Sequence, residues 1–319
     1  MAISRPNQVE AYQPSEAELK AGQYSPETLG KILSAFSQDG LILLQNVIPR
    51  EIIEKLNKRM CEDTERKIRD PAQRYNHGVK SNILQRPPIV ESEYLNEELY
   101  FNTFLLQVAN AYLGGTPIWN WLTANTAIAN TPGIRQPAHK DSGGFDHPQF
   151  PYYFIANVPL CDFSVENGST EFWLGSHQAT SSADQLVAKT ADDLKPYGMA
   201  RIGDPIPPIA EWAKEERMSV RPPIQPRCGP GDIMIRDLRT WHAGMPNLSG
   251  AHRVMLGLGY QSPHHAGDFM KLHLPLAQKE FFAKSAGDKV EVRAQWYDHD
   301  EFAKTKADTV FWAGAKGDR

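Results

Sequence analysis

Cysteine is scarce in this sequence, and the three that occur, Cys61, Cys161 and Cys228, are widely spaced. An odd number at such spacing fits neither a disulfide framework nor a Cys-x-x-Cys metal site, so buried structural thiols are predicted. Long apolar runs are also missing. The run at 41–44 is far shorter than the roughly 18 residues that a membrane-spanning helix needs, so no span is predicted.

An excess of basic residues is absent as well, since 34 Lys and Arg stand against 38 Asp and Glu and the net charge is -4. Nucleic-acid binders usually have a basic excess or a basic stripe, so a nucleic-acid partner is not expected. Residues 1–12 are polar and lack the basic start and apolar stretch of a secretory signal, which predicts a cytoplasmic protein.

The 319 residues are predicted to form a single domain, because 41% are hydrophobic and 23% charged, near globular averages. Within it, 1–118 is predicted to be a mostly helical scaffold. Ser25 and Pro26 have the residue types of a helix start, and Gly40 has that of a helix end. The apolar run that follows reads as a buried strand, and Pro49 as the start of a second helix.

From about residue 119 the pattern changes to short apolar or alternating runs, at 152–160, 169–174, 233–235 and 253–260, separated by Pro, Gly and Asn. Each run is predicted to be a strand, and the pattern is typical of a β sandwich or barrel. This predicts a β core over 119–262 with a C-terminal extension at 263–319. A segment at 178–226 interrupts the pattern and is rich in proline. Because long loops inside compact domains are usually functional, a lid over an active site is predicted there.

His139 and Asp141 are the first candidate site residues, because alternate residues on a strand project from the same face. Such a pair is a weak signal alone, and two solvated loop residues are the alternative. His242 offers a third ligand 101 residues beyond Asp141. Two imidazoles and one carboxylate leave three octahedral positions open, as in non-haem Fe(II) oxygenases, whereas a structural zinc site needs a fourth protein ligand. Arg253 follows at the start of a strand-like run and could bind a carboxylate bidentately.

These residues lie within a longer pattern that resembles the phytanoyl-CoA dioxygenase family of Fe(II)- and 2-oxoglutarate-dependent oxygenases, particularly its fungal natural-product members. The resemblance rests on segments spread over most of the chain: 36–41, 47–49, 136–141, 166–170, 175–177, 241–247 and Arg253. It implies a fold that is mainly β with flanking helices, built on a double-stranded β-helix or jelly-roll core.

By the same resemblance, His139, Asp141 and His242 bind Fe(II), and Arg253 pairs with the far carboxylate of 2-oxoglutarate. Gln136 and Thr170 hydrogen-bond the same co-substrate. Gln85 lies in a segment that resembles one near the active site of the fungal members, so a contact with co-substrate or substrate is predicted, with a plain loop as the alternative. His177 belongs to a turn in the family, which favours a structural role.

The implied activity is oxidation of a substrate C–H bond with O2 and 2-oxoglutarate as co-substrates, releasing succinate and CO2. A hydrophobic small molecule of secondary metabolism is the predicted substrate. A phytanoyl-CoA-type acyl-CoA hydroxylase, a non-catalytic jelly-roll module or supporting subunit, and a Zn(II) hydrolase remain as alternatives. Homodimers are common among the fungal relatives, and the aromatic segment at 309–312 is compatible with one, so a homodimer is a further prediction.

Overall fold

The computed structural model describes residues 7–76, 80–133, 135–141, 150–178, 180–197, 206–265 and 270–305. The helices are α1 (Glu16–Ala21), α2 (Pro26–Asp39), α3 (Arg50–Ile68), α4 (Glu97–Tyr100), α5 (Thr103–Leu113), α6 (Glu211–Val220), α7 (Lys279–Ala286) and α8 (His299–Lys304). The strands are β1 (Glu10–Tyr12), β2 (Leu41–Leu44), β3 (Asn82–Gln85), β4 (Ile118–Ala127), β5 (Tyr153–Pro159), β6 (Glu171–Phe172), β7 (Ile233–Asp237), β8 (His242–Ala243), β9 (Arg253–Gln261), β10 (Leu272–Pro275), β11 (Glu291–Val292) and β12 (Ala294–Tyr297).

Helix α2 begins and ends at the residues that its sequence predicts. The Ser25 hydroxyl accepts a hydrogen bond from the backbone N–H of Thr28 at 3.1 Å, and Pro26 occupies the first turn. Gly40 ends the helix with φ of 68°, in the left-handed region that glycine enters without a steric penalty. The chain then passes directly into β2, so this capped helix and the buried strand beside it are both confirmed.

Eight strands form the main sheet. Seven follow the order β1-β2-β7-β5-β9-β4-β11, and β3 pairs with β4 on the edge that faces away from β9. Because side chains alternate along a strand, each strand contributes to both faces of this sheet. On β9, Val254, Leu256 and Leu258 belong to the large apolar core, whereas Arg253 and Gly257 point to the opposite face.

The large apolar core lies between one face of the main sheet and a layer of helices. Ile32 and Phe36 of α2, Leu56 of α3, Leu105 of α5 and Phe282 of α7 all belong to it. Phe36, Leu105 and Phe282 are fully buried. Burying a side chain of this size stabilises the fold by about 1.5–3 kcal/mol, so this layer supplies much of the stability.

The opposite face of the main sheet is covered by a smaller sheet in which β6 pairs with β8. Single antiparallel bridges extend it, from His139 to His242 and from Phe172 to Ile224. The space between the large and the small sheet is called the interior below. It is the part of the fold in which the predicted site residues meet.

The structure differs from the sequence prediction in three places. The predicted strand at 169–174 is regular only over Glu171–Phe172. The N-terminal third supplies three strands to the main sheet, β1, β2 and β3, and the C-terminal extension adds β11. The aromatic segment at 309–312, which was considered for a homodimer, lies outside the described residues. No described helix has the length and apolar character to cross a membrane.

Candidate metal centre

His139, Asp141 and His242 lie together in the interior, and each offers one ligand atom within 4.8 Å of the others. Nε2 of His139 is 3.6 Å from Oδ1 of Asp141, and Nε2 of His242 is 3.7 Å from Oδ2 of the same carboxylate. Metal bonds to nitrogen and oxygen ligands measure about 2.0–2.2 Å, so one ion fits among these atoms after a small contraction. The structure thus brings together the three residues that the sequence predicts as metal ligands.

Backbone hydrogen bonds fix this arrangement although the three residues come from distant segments. The N–H of His139 donates to the carbonyl of His242 and the reverse bond is also made, both at 2.9 Å. The N–H of Asp141 donates to the carbonyl of Leu238 at 3.3 Å. His139 therefore lies in a single bridge rather than in the regular strand that the sequence predicted, while both residues still face the same site.

Each histidine ring is oriented by a backbone carbonyl. Nδ1 of His139 is 2.8 Å from the carbonyl oxygen of Pro137, and Nδ1 of His242 is 3.1 Å from that of Thr240. A carbonyl can only accept, so Nδ1 of each ring is the donor in these contacts, and Nε2 is the nitrogen that lies toward Asp141. Such outer partners are typical of metal-binding histidines.

The charges around the cluster favour the protonation states that bind a metal. Burial alone would raise the pKa of Asp141, but the guanidinium of Arg236 and the two imidazoles outweigh it, and that pKa is lowered. Burial and the nearby Arg236 lower the pKa of His242 well below its usual value. At neutral pH the site therefore presents a carboxylate anion and a neutral imidazole of His242, which are the ligand forms.

Arg253 is a buried cation that pairs with no carboxylate in the described part of the chain. Its side chain lies over the ring of Phe163 at 4.8 Å, and its Nε donates to the carbonyl of Asn167 at 3.3 Å. Among the described residues no carboxylate forms an ion pair with it, and its Nη1 has no hydrogen-bond partner. Burial lowers the pKa of Arg253 to about 10, so it stays charged at neutral pH. This environment fits an anionic ligand.

Gln136 and Thr170, the other residues predicted to hold a co-substrate, lie on either side of β8. The Gln136 N–H donates to the Gly244 carbonyl, and Oε1 of Gln136 accepts from the Gly244 N–H, both at 2.9 Å. A Cβ on Gly244 would lie 2.7 Å from the Gln136 carboxamide, so this close approach requires glycine. Thr170 is buried and directly precedes β6, the strand that pairs with β8.

Gln85 is not brought to this cluster. It pairs with Ala124 of β4, and this register directs its side chain to the helix-facing side of the main sheet. There Nε2 donates to the hydroxyls of Thr64 at 2.8 Å and Thr126 at 2.7 Å. These contacts do not support the predicted role at the co-substrate, because the interior lies on the other side of the sheet.

Two interior features were missed by the sequence reasoning. Arg236 of β7 donates from Nη2 to Oδ2 of Asp141 at 2.6 Å. Trp121 lies across β9, where a Cβ on Gly257 would come within 2.6 Å of its ring. A charged residue in the apolar run of β7 and alternate glycines in β9 were the available signals. His177 has the structural role that was predicted, since its Nε2 is 3.0 Å from the Ser37 carbonyl and its pKa is lowered by burial.

Comparison with known proteins gives a family match over most of the chain. The model of the family "Phytanoyl-CoA dioxygenase (PhyH)" matches residues 36–255. Among curated proteins, the chain is similar to the iron/alpha-ketoglutarate-dependent dioxygenase ausO of Aspergillus calidoustus. The two are 23% identical over 241 residues, which cover 70% of this chain and 69% of that protein.

Solved structures with the same fold include one with alpha ketoglutarate and one with 2-oxoglutarate. The epimerase SnoN, solved with Fe3+, alpha ketoglutarate and nogalamycin RO, gives a TM-score of 0.50 at 15% identity, covering 75% of this chain and 85% of SnoN. EctD from S. alaskensis, solved with 2-oxoglutarate and 5-hydroxyectoine, gives 0.51 at 16%, covering 75% and 78%. This likeness confirms the predicted fold class, a mainly β jelly-roll core with flanking helices.

Proposed function

The chain belongs to the phytanoyl-CoA dioxygenase (PhyH) family of Fe(II)- and 2-oxoglutarate-dependent dioxygenases, and we propose that it oxidises a C–H bond of a hydrophobic small molecule in secondary metabolism. When bound, Fe(II) with 2-oxoglutarate and O2 supplies the oxidising power, and 2-oxoglutarate leaves as succinate and CO2. The protein's own residues hold these groups, orient the substrate and exclude water.

The metal ligands in this proposal are His139, Asp141 and His242. The single observation that supports it most strongly is their convergence, with donor atoms within 4.8 Å of one another. Three protein ligands leave three octahedral positions for a chelating co-substrate and O2. A Zn(II) hydrolase needs only one open position for a water, and it gives Arg253 no role.

Arg253 binds the far carboxylate of 2-oxoglutarate in this proposal, because a buried guanidinium with a free Nη1 is matched by a carboxylate. Gln136 donates from its Nε2 amide to the co-substrate. Its Oε1 already accepts from the Gly244 N–H, and this contact fixes the orientation of the carboxamide. Thr170 contributes its hydroxyl. Among the described residues no carboxylate forms an ion pair with Arg253 that would compete.

The hydrophobic substrate is proposed from an apolar cluster beside Asp141. Leu238, whose carbonyl accepts from the Asp141 N–H, packs with the buried Ile155. Trp121 and Met270 are only partly buried at the edge of this cluster, so each keeps apolar surface for a ligand. A substrate that packs here lies next to the proposed metal ligands.

The segment at 178–226 is proposed to enclose the substrate, because residues adjacent to all three ligands contact it. Lys140 donates from Nζ to the Thr180 hydroxyl at 3.1 Å, and the Trp241 indole donates to the same hydroxyl at 2.8 Å. The N–H of Ile209 donates to the Ala138 carbonyl at 2.7 Å. Closure of this segment as a lid predicts that protease nicking within it slows when substrate is present, and unchanged nicking would count against closure.

The proposed function is tested by measuring succinate release with Fe(II), 2-oxoglutarate and O2 across terpenoid, alkaloid and polyketide candidates, with acyl-CoA thioesters included. We expect stimulation by at least one hydrophobic small molecule, and loss of that activity in His242→Ala. Stimulation by acyl-CoA thioesters alone would favour the phytanoyl-CoA-type reaction instead. Substrate hydrolysis with Zn(II) and without O2 would overturn the oxygenase proposal.

A further inference from the structure

Arg236 makes a contact that neither the family resemblance nor the sequence predicts. Its Nη2 donates to Oδ2 of Asp141 at 2.6 Å, and Arg236 is only 4% exposed. Its register partners in the neighbouring strands are both apolar, Leu41 of β2 and Ile155 of β5. Among the described residues, the Asp141 carboxylate is the one hydrogen-bond partner of its side chain, and the buried Nη1 has none.

Arg239, in the turn that follows β7, shows how a buried arginine is satisfied when it only stabilises the fold. Its Nε and Nη2 each donate to Asp237 at 2.8 Å, one to each carboxylate oxygen. Arg236 makes one contact with one oxygen instead. Burying a guanidinium costs several kcal/mol unless its partners repay the cost, so a single contact is a poor structural solution. A role in placing Asp141 explains this contact better.

The two oxygens of Asp141 both face a histidine, but only one of them accepts from Arg236. Oδ2 accepts from Arg236 and lies 3.7 Å from Nε2 of His242, whereas Oδ1 lies 3.6 Å from Nε2 of His139. The backbone N–H of Asp141 donates to the carbonyl of Leu238, while Arg236 holds the carboxylate. Both contacts come from the chain segment that leads into His242.

We propose that Arg236 is a positioning residue that holds Oδ2, so that Asp141 binds the metal through Oδ1 alone. This inference rests on the proposed function, because it takes His139, Asp141 and His242 as the ligands. A carboxylate bound through both oxygens would occupy one of the three open positions. Arg236 therefore preserves the position that a chelating co-substrate needs.

The variant Arg236→Met removes the donor and keeps most of the side-chain length. We expect Arg236→Met to bind Mn(II) at least as well as the wild type, since a nearby positive charge is lost. Its Mn(II)-loaded form should bind 2-oxoglutarate about 10-fold or more weakly, the usual size of an outer-partner effect at a metal site. Arg236→Lys keeps a donor at nearly the same reach and should stay within a few fold of the wild type.

The matched control is Arg239→Met, which removes a buried arginine three residues further along the chain without touching Asp141. It should lower the thermal stability and leave both affinities unchanged. Mn(II) is the probe because it is stable in air. Its binding is followed by the electron paramagnetic resonance of the free ion, and 2-oxoglutarate binding to the loaded protein by calorimetry.

Equal 2-oxoglutarate affinity in wild type and folded Arg236→Met would overturn the inference. Failure of the wild type itself to bind 2-oxoglutarate in a Mn(II)-dependent manner would instead refute the proposed function, so the two failures are distinguishable. If Arg236→Met does not fold, a crystal structure of the Mn(II)-loaded wild type decides. Coordination through Oδ1 with Arg236 still on Oδ2 supports the inference, and coordination through both oxygens contradicts it.

Discussion

The two faces of the main sheet differ sharply in chemistry although the same strands form both. On the helix-facing side, β9 contributes Val254, Leu256 and Leu258, which are fully buried among apolar neighbours. On the interior side, the same strand contributes Arg253 and the glycine that makes room for Trp121. Strand alternation thus separates stability from chemistry, with consecutive residues serving one or the other. Substitutions at neighbouring positions should then have separable effects.

The largest effect is expected for Leu256→Ala on the helix-facing side. Removing a fully buried leucine side chain leaves a cavity and should lower the free energy of unfolding by about 2–5 kcal/mol. Chemical denaturation measures this loss. The affinity of the metal-loaded protein for 2-oxoglutarate should not change, and a parallel loss of affinity would break the separation between the faces.

Arg253→Leu is the matched change on the interior face of the same strand. Loss of a charge-assisted contact should weaken 2-oxoglutarate binding by about 100-fold. The stability should be unchanged or higher, because a buried charge without a described ion-pair partner is removed. Calorimetry and thermal unfolding of the same preparation test both parts. A destabilised variant with normal affinity would assign Arg253 to the fold instead.

Gly257→Ala tests the space that β9 leaves for Trp121. The added Cβ would lie 2.6 Å from the Trp121 ring, so the ring must shift, and overpacking of this kind costs about 1–3 kcal/mol. We expect a changed Michaelis constant for the organic substrate with little change for 2-oxoglutarate. Gly250→Ala, where a Cβ meets nothing within 4 Å, is the control. Identical kinetics in both variants would contradict a substrate-facing Trp121.

The smallest effect is expected for Gln85→Leu. The hydroxyls of Thr64 and Thr126 would lose their donor, which should cost about 1 kcal/mol of stability. The affinity for 2-oxoglutarate should stay at the wild-type value because the side chain lies on the helix-facing side. A clear loss of that affinity would restore the role that the family resemblance suggested for Gln85.

Local signals explain which parts of the fold could be predicted from the sequence. Ser25, Pro26 and Gly40 specify the ends of α2 by hydrogen bonding and backbone geometry within a few residues, so the prediction was confirmed. The family pattern identified His139, Asp141 and His242 because it offers few alternative residues for these three positions. By contrast, β6 is shorter than predicted because its length depends on pairing with β8, which is distant in the chain.

The face on which a side chain lies was harder to predict, because it depends on strand register. Gln85 points away from the interior only because β3 pairs with β4 in the register that sets Gln85 opposite Ala124. A shift by one residue would reverse it. Arg236 could have been noticed as a charge that directly follows the apolar run at 233–235. Its partner Asp141 lies 95 residues away, and no local pattern could identify that contact.

The central claim is that the interior holds iron on His139, Asp141 and His242, and 2-oxoglutarate on Arg253. Anaerobic titration of the protein with Fe(II) and then 2-oxoglutarate, followed by visible absorption, tests it most directly. We expect a charge-transfer band in the wild type, no band in His242→Ala, and in Arg253→Leu a band that forms only at much higher 2-oxoglutarate concentration. A folded wild type that gives no band at saturating iron and 2-oxoglutarate would contradict the account.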